Sequence, residues 1–387
     1  MVRKIEPYFK KGGTGMKLLG FAFLSFILFG QANARADWKT DWEEVLRESK
    51  KEDRLNFYAS NYTQGPLLDG FKKEYPWIKP VIVNDTGTNL GTRILTESRA
   101  GRFVADLYSS GADSNYALLH KGKLLESFKS TLILPEVLDE SRWLGGRHVY
   151  VDDDQDQIFV YIATPSGGST SYNEKQVNPN EFKSYWDFMN PKWRGKIVSQ
   201  RINEAGIGGV LQFYYYNPEL GPEWIRRLYT TMDVALGDSR LIVNWLATGK
   251  YSLCIACRGI DKAKAQGLPV DEFDGRVWKE GQKLTMGGGT ISFIKGAPHP
   301  NAAKVFINWF LSRKGQILLQ SSPDLNGSFP PNSRRIDIPK DMLRPENRLI
   351  EGRKYFDVSR PEYSDLAPIF KLAKEIMAER EKIESKK

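Results

Sequence analysis

Short hydrogen-bonding side chains follow three apolar runs of the chain: Ser60, Asn61 and Tyr62; then Thr86, Thr88 and Asn89; then Ser110 and Asp113. Glycines sit beside them at 65, 87, 91 and 111. Such groups suit reversible binding of a small polar molecule, and Ser, Thr, Asn and Asp serve equally well as helix caps. Capping accounts for any one of them; it is a poor account of all eight. Three arginines stand at comparable places further on. Arg201 follows a strand-like run, Ser239 and Arg240 open a helix after Asp238, and Arg258 follows another apolar run. A guanidinium fork matches carboxylate, sulfonate or phosphonate oxygens in bidentate fashion, although exposed ion pairs of little energetic weight are the plain alternative. Arg93, inside a helix, is a weaker candidate.

Groups that react are harder to find. There is no Gly-x-Ser-x-Gly elbow, no His-Glu-x-x-His and no P-loop lysine motif. Val151-Asp-Asp-Asp-Gln-Asp156 lacks the glycine and terminal glutamate of a calcium loop and reads as a solvated turn. Gly206-Ile-Gly-Gly209 is too short for a dinucleotide fingerprint. The three histidines, 120, 148 and 299, are far apart, so zinc-ligand spacing is absent. No enzyme, metal or cofactor is expected. Cys254 and Cys257 lie in a strand-like run where positions i and i+3 point to opposite faces. They are expected to be two inert packing residues, since a bridge needs the strand to end between them.

The elements that must position the polar groups alternate. Residues 41–51, 66–75 and 90–100 have helical spacing, and residues 55–60, 80–84 and 105–110 read as strands. A second cycle holds strands at 158–163, 196–199 and 251–256, with helices opening near 205–209 and 238. Repeated βαβ units predict two α/β lobes, each a mostly parallel sheet flanked by helices. In such sheets ligands bind beyond the carboxyl ends of the strands, near helix N-termini. That is where the polar residues fall.

The N-terminus bears on destination. Lys17 precedes an apolar run of about 13 residues, Leu18 to Gly30, followed by Ala32-Asn-Ala34 and Ala34-Arg-Ala36. A basic flank, a short apolar core and small-x-small sites form a cleavable secretory signal. The run is short of the roughly 20 apolar residues that a membrane helix needs. Cleavage after Ala36 is preferred, Met16 is the more natural start, and no cysteine follows to carry a lipid. Export to the periplasm is the expectation. The leader holds six Lys/Arg and one Glu, so a net charge of +9 becomes 9 − 5 = +4 for the remaining 351 residues. That is too little positive charge, and too scattered, for a nucleic-acid partner.

In this order, several stretches resemble the type II solute-binding proteins of ABC importers, in particular the ferric-iron-type group. They are Phe71-Lys-Lys-Glu-Tyr-Pro76, Asp85-Thr-Gly-Thr-Asn-Leu-Gly-Thr-Arg93 running into Glu97-Ser-Arg-Ala-Gly101, and Ala105-Asp-Leu-Tyr108. Ser184-Tyr-Trp-Asp-Phe188, Pro191-Lys-Trp-Arg-Gly-Lys196, Gly287 to Pro298 and Asn301 to Ser312 complete the set. The resemblance implies lobes of residues 37–160 with 285–325, and 161–284 with 326–387, the chain crossing near 160–172, 284–290 and 325–331. It implies a monomer that clamps a small ligand and presents it to an importer permease. Ferric binders of the group carry two adjacent tyrosines after the strand that is here 251–256. Cys257 and Arg258 stand there instead, and a guanidinium cannot ligate a cation. Tyr214-Tyr-Tyr216 lies within a helix, where successive side chains diverge by about 100°. An organic anion therefore fits better than iron, with ferric transport, a sensor's ligand-binding partner and a secreted hydrolase as the alternatives.

Overall fold

The computed structural model describes residues 38–60, 65–166, 170–203, 207–322, 331–363 and 365–385. In chain order its strands are β1 Arg54–Ala59, β2 Lys79–Asn84, β3 Leu107–Ser110, β4 Phe159–Val160, β5 Thr164–Ser166, β6 Thr170–Asn173 and β7 Ile197–Gln200. They continue as β8 Ala235–Gly237, β9 Leu253–Ile255, β10 Val270–Glu272, β11 Gln282–Thr285, β12 Thr290–Phe293 and β13 Tyr355–Asp357. Two five-stranded sheets result, ordered β2-β1-β3-β12-β4 and β8-β7-β9-β6-β10, with a smaller sheet β13-β11-β5.

The apolar alternation within strands builds a layer on each sheet face. In β1, Leu55, Phe57 and Ala59 enter one buried cluster, whereas Tyr58 enters another with Tyr108. In the second sheet, Ile197, Leu253 and Ile255 face one cluster, and Val198 and Cys254 face the other. No cluster draws strands from both five-stranded sheets, so the chain folds around two separate cores. It is two-lobed α/β.

Each sheet has the same plan. Three parallel strands lie side by side (β2-β1-β3 and β8-β7-β9), and two strands join antiparallel. The expected mostly parallel sheets are thus mixed. The antiparallel member next to the parallel set, β12 or β6, is the one by which the chain arrives from the other lobe, and a returning strand has no crossover helix to make it parallel. The crossings at 159–173 and 282–293 run through β5 and β11 of the small sheet. The crossing expected at 325–331 lies mostly outside the described residues.

Residues 331–343 cling to the first lobe. The Arg334 N–H donates to the Tyr161 carbonyl and Leu144 donates to that of Arg334, at 2.9 and 2.8 Å. Arg335, wholly buried, donates to the Leu311 carbonyl at 2.7 Å, to Asp337 at 2.7 Å and to Glu136 at 3.1 Å. A buried guanidinium needs these partners, and two of them belong to the first lobe. We therefore propose that the tail leaves the first lobe near residue 345, and not at 326. The helix Ala367–Glu384 buries Ile369, Leu372, Ala373 and Ile376 in the second core.

Two expectations about side chains need amendment. Cys254 and Cys257 form a disulfide with their Cα atoms 5.9 Å apart. The strand ends at Ile255, and Ala256 turns into the left-handed region at φ 62°, which brings the second thiol round to the first. The acidic stretch is a turn, but Asp152 is buried and accepts from the N–H groups of Asp156, Gln157 and Ile158 at 2.7–2.9 Å. Asp153 and Asp154 are its exposed part. Among the described residues no helix is long and apolar enough to cross a membrane.

Candidate functional site

Parallel pairing aligns the strand ends of each lobe. In the first, Ala59 is level with Asn84 and Ser109, so Ser60, Asp85 and Ser110 emerge along one edge. The Ser60 hydroxyl donates to Ser110 Oγ at 2.9 Å, and Ser114 Oγ lies 3.5 Å from the same atom. Thr290 Oγ1 donates to the Ser110 carbonyl at 2.6 Å, and the Tyr108 hydroxyl donates to the Gly87 carbonyl at 2.8 Å. Gly87 opens the helix Gly87–Arg99 against this cluster, where a Cβ would stand 2.0 Å from Ser110 Oγ. Only glycine allows so close an approach.

Not every candidate of this lobe is available. Thr86 caps that helix by accepting from the Asn89 N–H, and the Asn89 amide donates to Asp85 at 2.9 Å. These residues hold the helix start. Thr88 is exposed on its first turn. Arg93 is engaged by Glu97 at 2.8 Å and lies over the Tyr58 ring. Asn61 and Tyr62 lie outside the described residues.

In the second lobe Gln200 is level with Gly237, and Ser199 with Ile255. Arg201, Asp238 and the Cys257-Arg258 turn therefore share one edge. Asp238 caps the helix Ser239–Ala247 by accepting from the Arg240 and Leu241 N–H groups at 3.1 and 3.0 Å. Arg201, Arg240 and Arg258 are all exposed. Ser239 is the first residue of that helix. The disulfide and the left-handed Gly259, at φ 79°, bracket Arg258 and fix its turn.

One residue that sequence reasoning passed over joins the two edges. Lys283, in the middle of β11, is buried, and its ammonium donates to the Gly209 carbonyl in the first turn of the helix Gly208–Tyr216. Burial pulls its pKa from 10.5 down to about 8; the positive charge of Arg258 adds to this, and Asp113 opposes it. The lysine thus lies within electrostatic reach of Asp113 in the first lobe and Arg258 in the second. The enclosing protein in turn raises the Asp113 carboxyl pKa, against the pull of Lys283, although Asp113 keeps solvent access. A cavity of about 50 Å³ beside it is lined by Ala112, Asp113, Tyr116 and Val151 from one lobe and by Gln212 and Val358 from the other. Nothing in the short run Gln282-Lys-Leu-Thr285 marks Lys283 as buried; its one pointer is its place just before Gly287-Gly-Gly289.

Ser60, Ser110 and Asp113 stand at the strand ends of the first lobe and Arg258 at those of the second; Asp113 lines the crevice, and Asp113 and Arg258 are the electrostatic neighbours of Lys283. Arg201 shares the edge with Arg258, and its charge holds Asp238 below the usual carboxylate range, after the Leu241 and Arg240 N–H groups that do most of this. Arg240 is not among the charges that act on Lys283. Tyr214 is fully buried and stacked on Trp224 with ring centroids 4.5 Å apart, and Tyr216 donates to the Asp365 carbonyl. Among the described residues no group of three or more His, Cys, Asp or Glu is placed to hold a metal ion.

Known structures share this architecture. An iron- and citrate-bound protein from Trichodesmium, IdiA or FutA, superposes with a TM-score of 0.59 at 18% identity, over 84% of this chain and 99% of that one. Apo FutA2 from Synechocystis PCC6803 gives 0.60 at 14% identity, over 84% and 98%. The periplasmic binding protein AfuA from Actinobacillus pleuropneumoniae, with fructose-6-phosphate bound, gives 0.55 at 16% identity, over 85% and 98%. No protein-family model matches the chain. The fold is that of the two-lobed periplasmic solute-binding proteins.

Proposed function

We propose that the protein is the exported substrate-binding component of an ABC importer, and that it clamps a small organic anion between its lobes. The observation that carries the reading is Lys283. It sits in a strand crossing between the lobes, and its electrostatic neighbours come from both of them. A buried ammonium with a depressed pKa is an unfavourable arrangement for the empty protein. An anionic ligand in the crevice would stabilise its charge and gain charge-assisted hydrogen bonds from Lys283 and Arg258. Ser60, Ser110 and the helix start at Gly87 would supply neutral partners. Asp113 would set orientation, repelling an anion laid the wrong way round.

Closure follows from the same geometry. A ligand that touches both edges binds the closed form better than the open one and shifts the population towards it. Strands β5, β11 and β13 would act as the hinge, and a permease would read the closed shape. The neighbours' ligands, iron with citrate and a sugar phosphate, include anionic groups. Ferric ion alone suits this chain less well, since the turn after β9 offers a disulfide sulfur and a guanidinium. Neither ligates Fe(III).

Thermal denaturation with a panel of citrate, sugar phosphates and phosphonates tests the reading. At 100 times Kd a ligand should add about 2.7 kcal/mol to stability, and Arg258→Gln should weaken the effect. No shift with any member, together with a shift given by ferric ion alone, would transfer the function to metal uptake.

A further inference from the structure

On the far face of the small sheet lies a second cavity, of about 400 Å³. Successive residues of a strand point to opposite faces. Lys283 serves the crevice, so Leu284 and its level partner Asp357 face away from it, and both line this second space. Four arginines line it, Arg147, Arg334, Arg353 and Arg360; Asp357 is the one carboxylate of the lining, and Glu362, beside it, pairs with Arg360.

Arg334 is the decisive residue. Its side chain is only 3% exposed, and Nη2 donates to Asp357 at 2.6 Å. Among the described residues its Nε and Nη1 are buried without a hydrogen-bond partner, and so is Nε of Arg360. Buried donors are nearly always satisfied, and a buried guanidinium most of all. Arg147 and Arg353 form no salt bridge to a carboxylate among the described residues. The unmet need is for acceptor oxygens and negative charge.

We propose that this cavity is a second ligand site, for a small organic phosphate. A doubly charged oxyanion head would accept from the exposed guanidinium groups of Arg147 and Arg353, and from the unsatisfied nitrogens of Arg334 and Arg360 once those side chains turn towards it; forks of this kind fit phosphate oxygens. Leu144, Leu284 and Phe356 make the remaining wall apolar and suit an ester body. Arg334 is fastened to the first lobe through Tyr161 and Leu144, whereas Asp357 belongs to the strand paired with β11. An occupant would thus brace one lobe against the crossing sheet. The site rests on the two-lobed fold and on these arginines, and stands apart from the ligand proposed for the crevice.

Calorimetric titration of the mature protein with inorganic phosphate and with phenyl phosphate tests it. The double variant Arg147→Gln/Arg353→Gln alters two exposed side chains and should keep its melting curve. It should bind phenyl phosphate at least about tenfold more weakly, whereas Arg258→Gln, in the crevice, should bind it at this site unchanged. Phenyl phosphate should bind more tightly than inorganic phosphate; equal affinity would reject the organic ester. Loss of all phosphate binding in Arg258→Gln with none lost in the double variant, or no binding of either probe, would overturn the site. Failure of the crevice reading alone would leave the double-variant result standing.

Discussion

Replacing Lys283 by methionine should make the empty protein more stable and the ligand-binding protein useless. Lowering the ammonium from 10.5 to about 8 corresponds to about 3 kcal/mol against the charged form, at roughly 1.4 kcal/mol per pH unit. Methionine fills similar space without the charge, so this penalty disappears. The Gly209 carbonyl loses its donor, which costs about 1 kcal/mol. The net gain is about 2 kcal/mol, or about 3 °C in melting temperature for a chain of this size. Urea denaturation of the two proteins at pH 7, with the same slope assumed for both, reads the difference directly. The effect also has a pH signature. The unfolded chain binds the proton more tightly than the folded one, so stability of the parent should rise between about pH 8 and 10.5 and stay level in this respect below pH 8. Lys283→Met should lack that rise. A variant destabilised by 1 kcal/mol or more, with the rise intact, would refute the reasoning.

Four further outcomes follow from the same contacts. Anion affinity should fall as pH climbs above about 8, because Lys283 gives up its proton there and the ligand must restore it; titration calorimetry in two buffers should show proton uptake on binding near pH 8–9. Replacing Cys254 and Cys257 by alanine should cost about 2 kcal/mol by chain entropy and weaken ligand binding through the loosened Arg258 turn, both readable by thermal shift. Gly87→Ala should cost about 1 kcal/mol and reduce affinity, since its Cβ would turn the Ser110 hydroxyl away from Ser60. Arg335→Ala should cost about 3 kcal/mol by emptying the space of a wholly buried side chain and leaving the Leu311 carbonyl without its donor, measured by denaturation.

Much of the framework could be read from periodicity. The runs 55–60 and 196–199 became β1 and β7 within a residue or so, because a strand buried on both faces must be apolar throughout, and 80–84 became the edge strand β2. The helix capped by Thr86 begins at Gly87, three residues before the expected 90, whereas Asp238 was legible as a helix start because a cap is a local device. The antiparallel strands were not, since nothing in Thr170–Asn173 or Thr290–Phe293 says from which side the chain arrives. The disulfide was hidden by Ala256, whose left-handed backbone ends β9 early although alanine gives no sign of it. Lys283 was passed over because a lysine in a short strand reads as a solvated residue. Its burial is a consequence of two lobes meeting, which no local pattern records. The packing of residues 331–343 on the first lobe depends likewise on Arg335 finding Glu136, some two hundred positions earlier.

A crystal structure of the protein purified from its own host, with whatever it carries, bears most directly on the central claim. Electron density for an anion between Ser110 and Arg258, with an acidic group near Lys283 Nζ, is the predicted result. A molecule held elsewhere, with the space between the lobes filled only by solvent in a closed form, would contradict it.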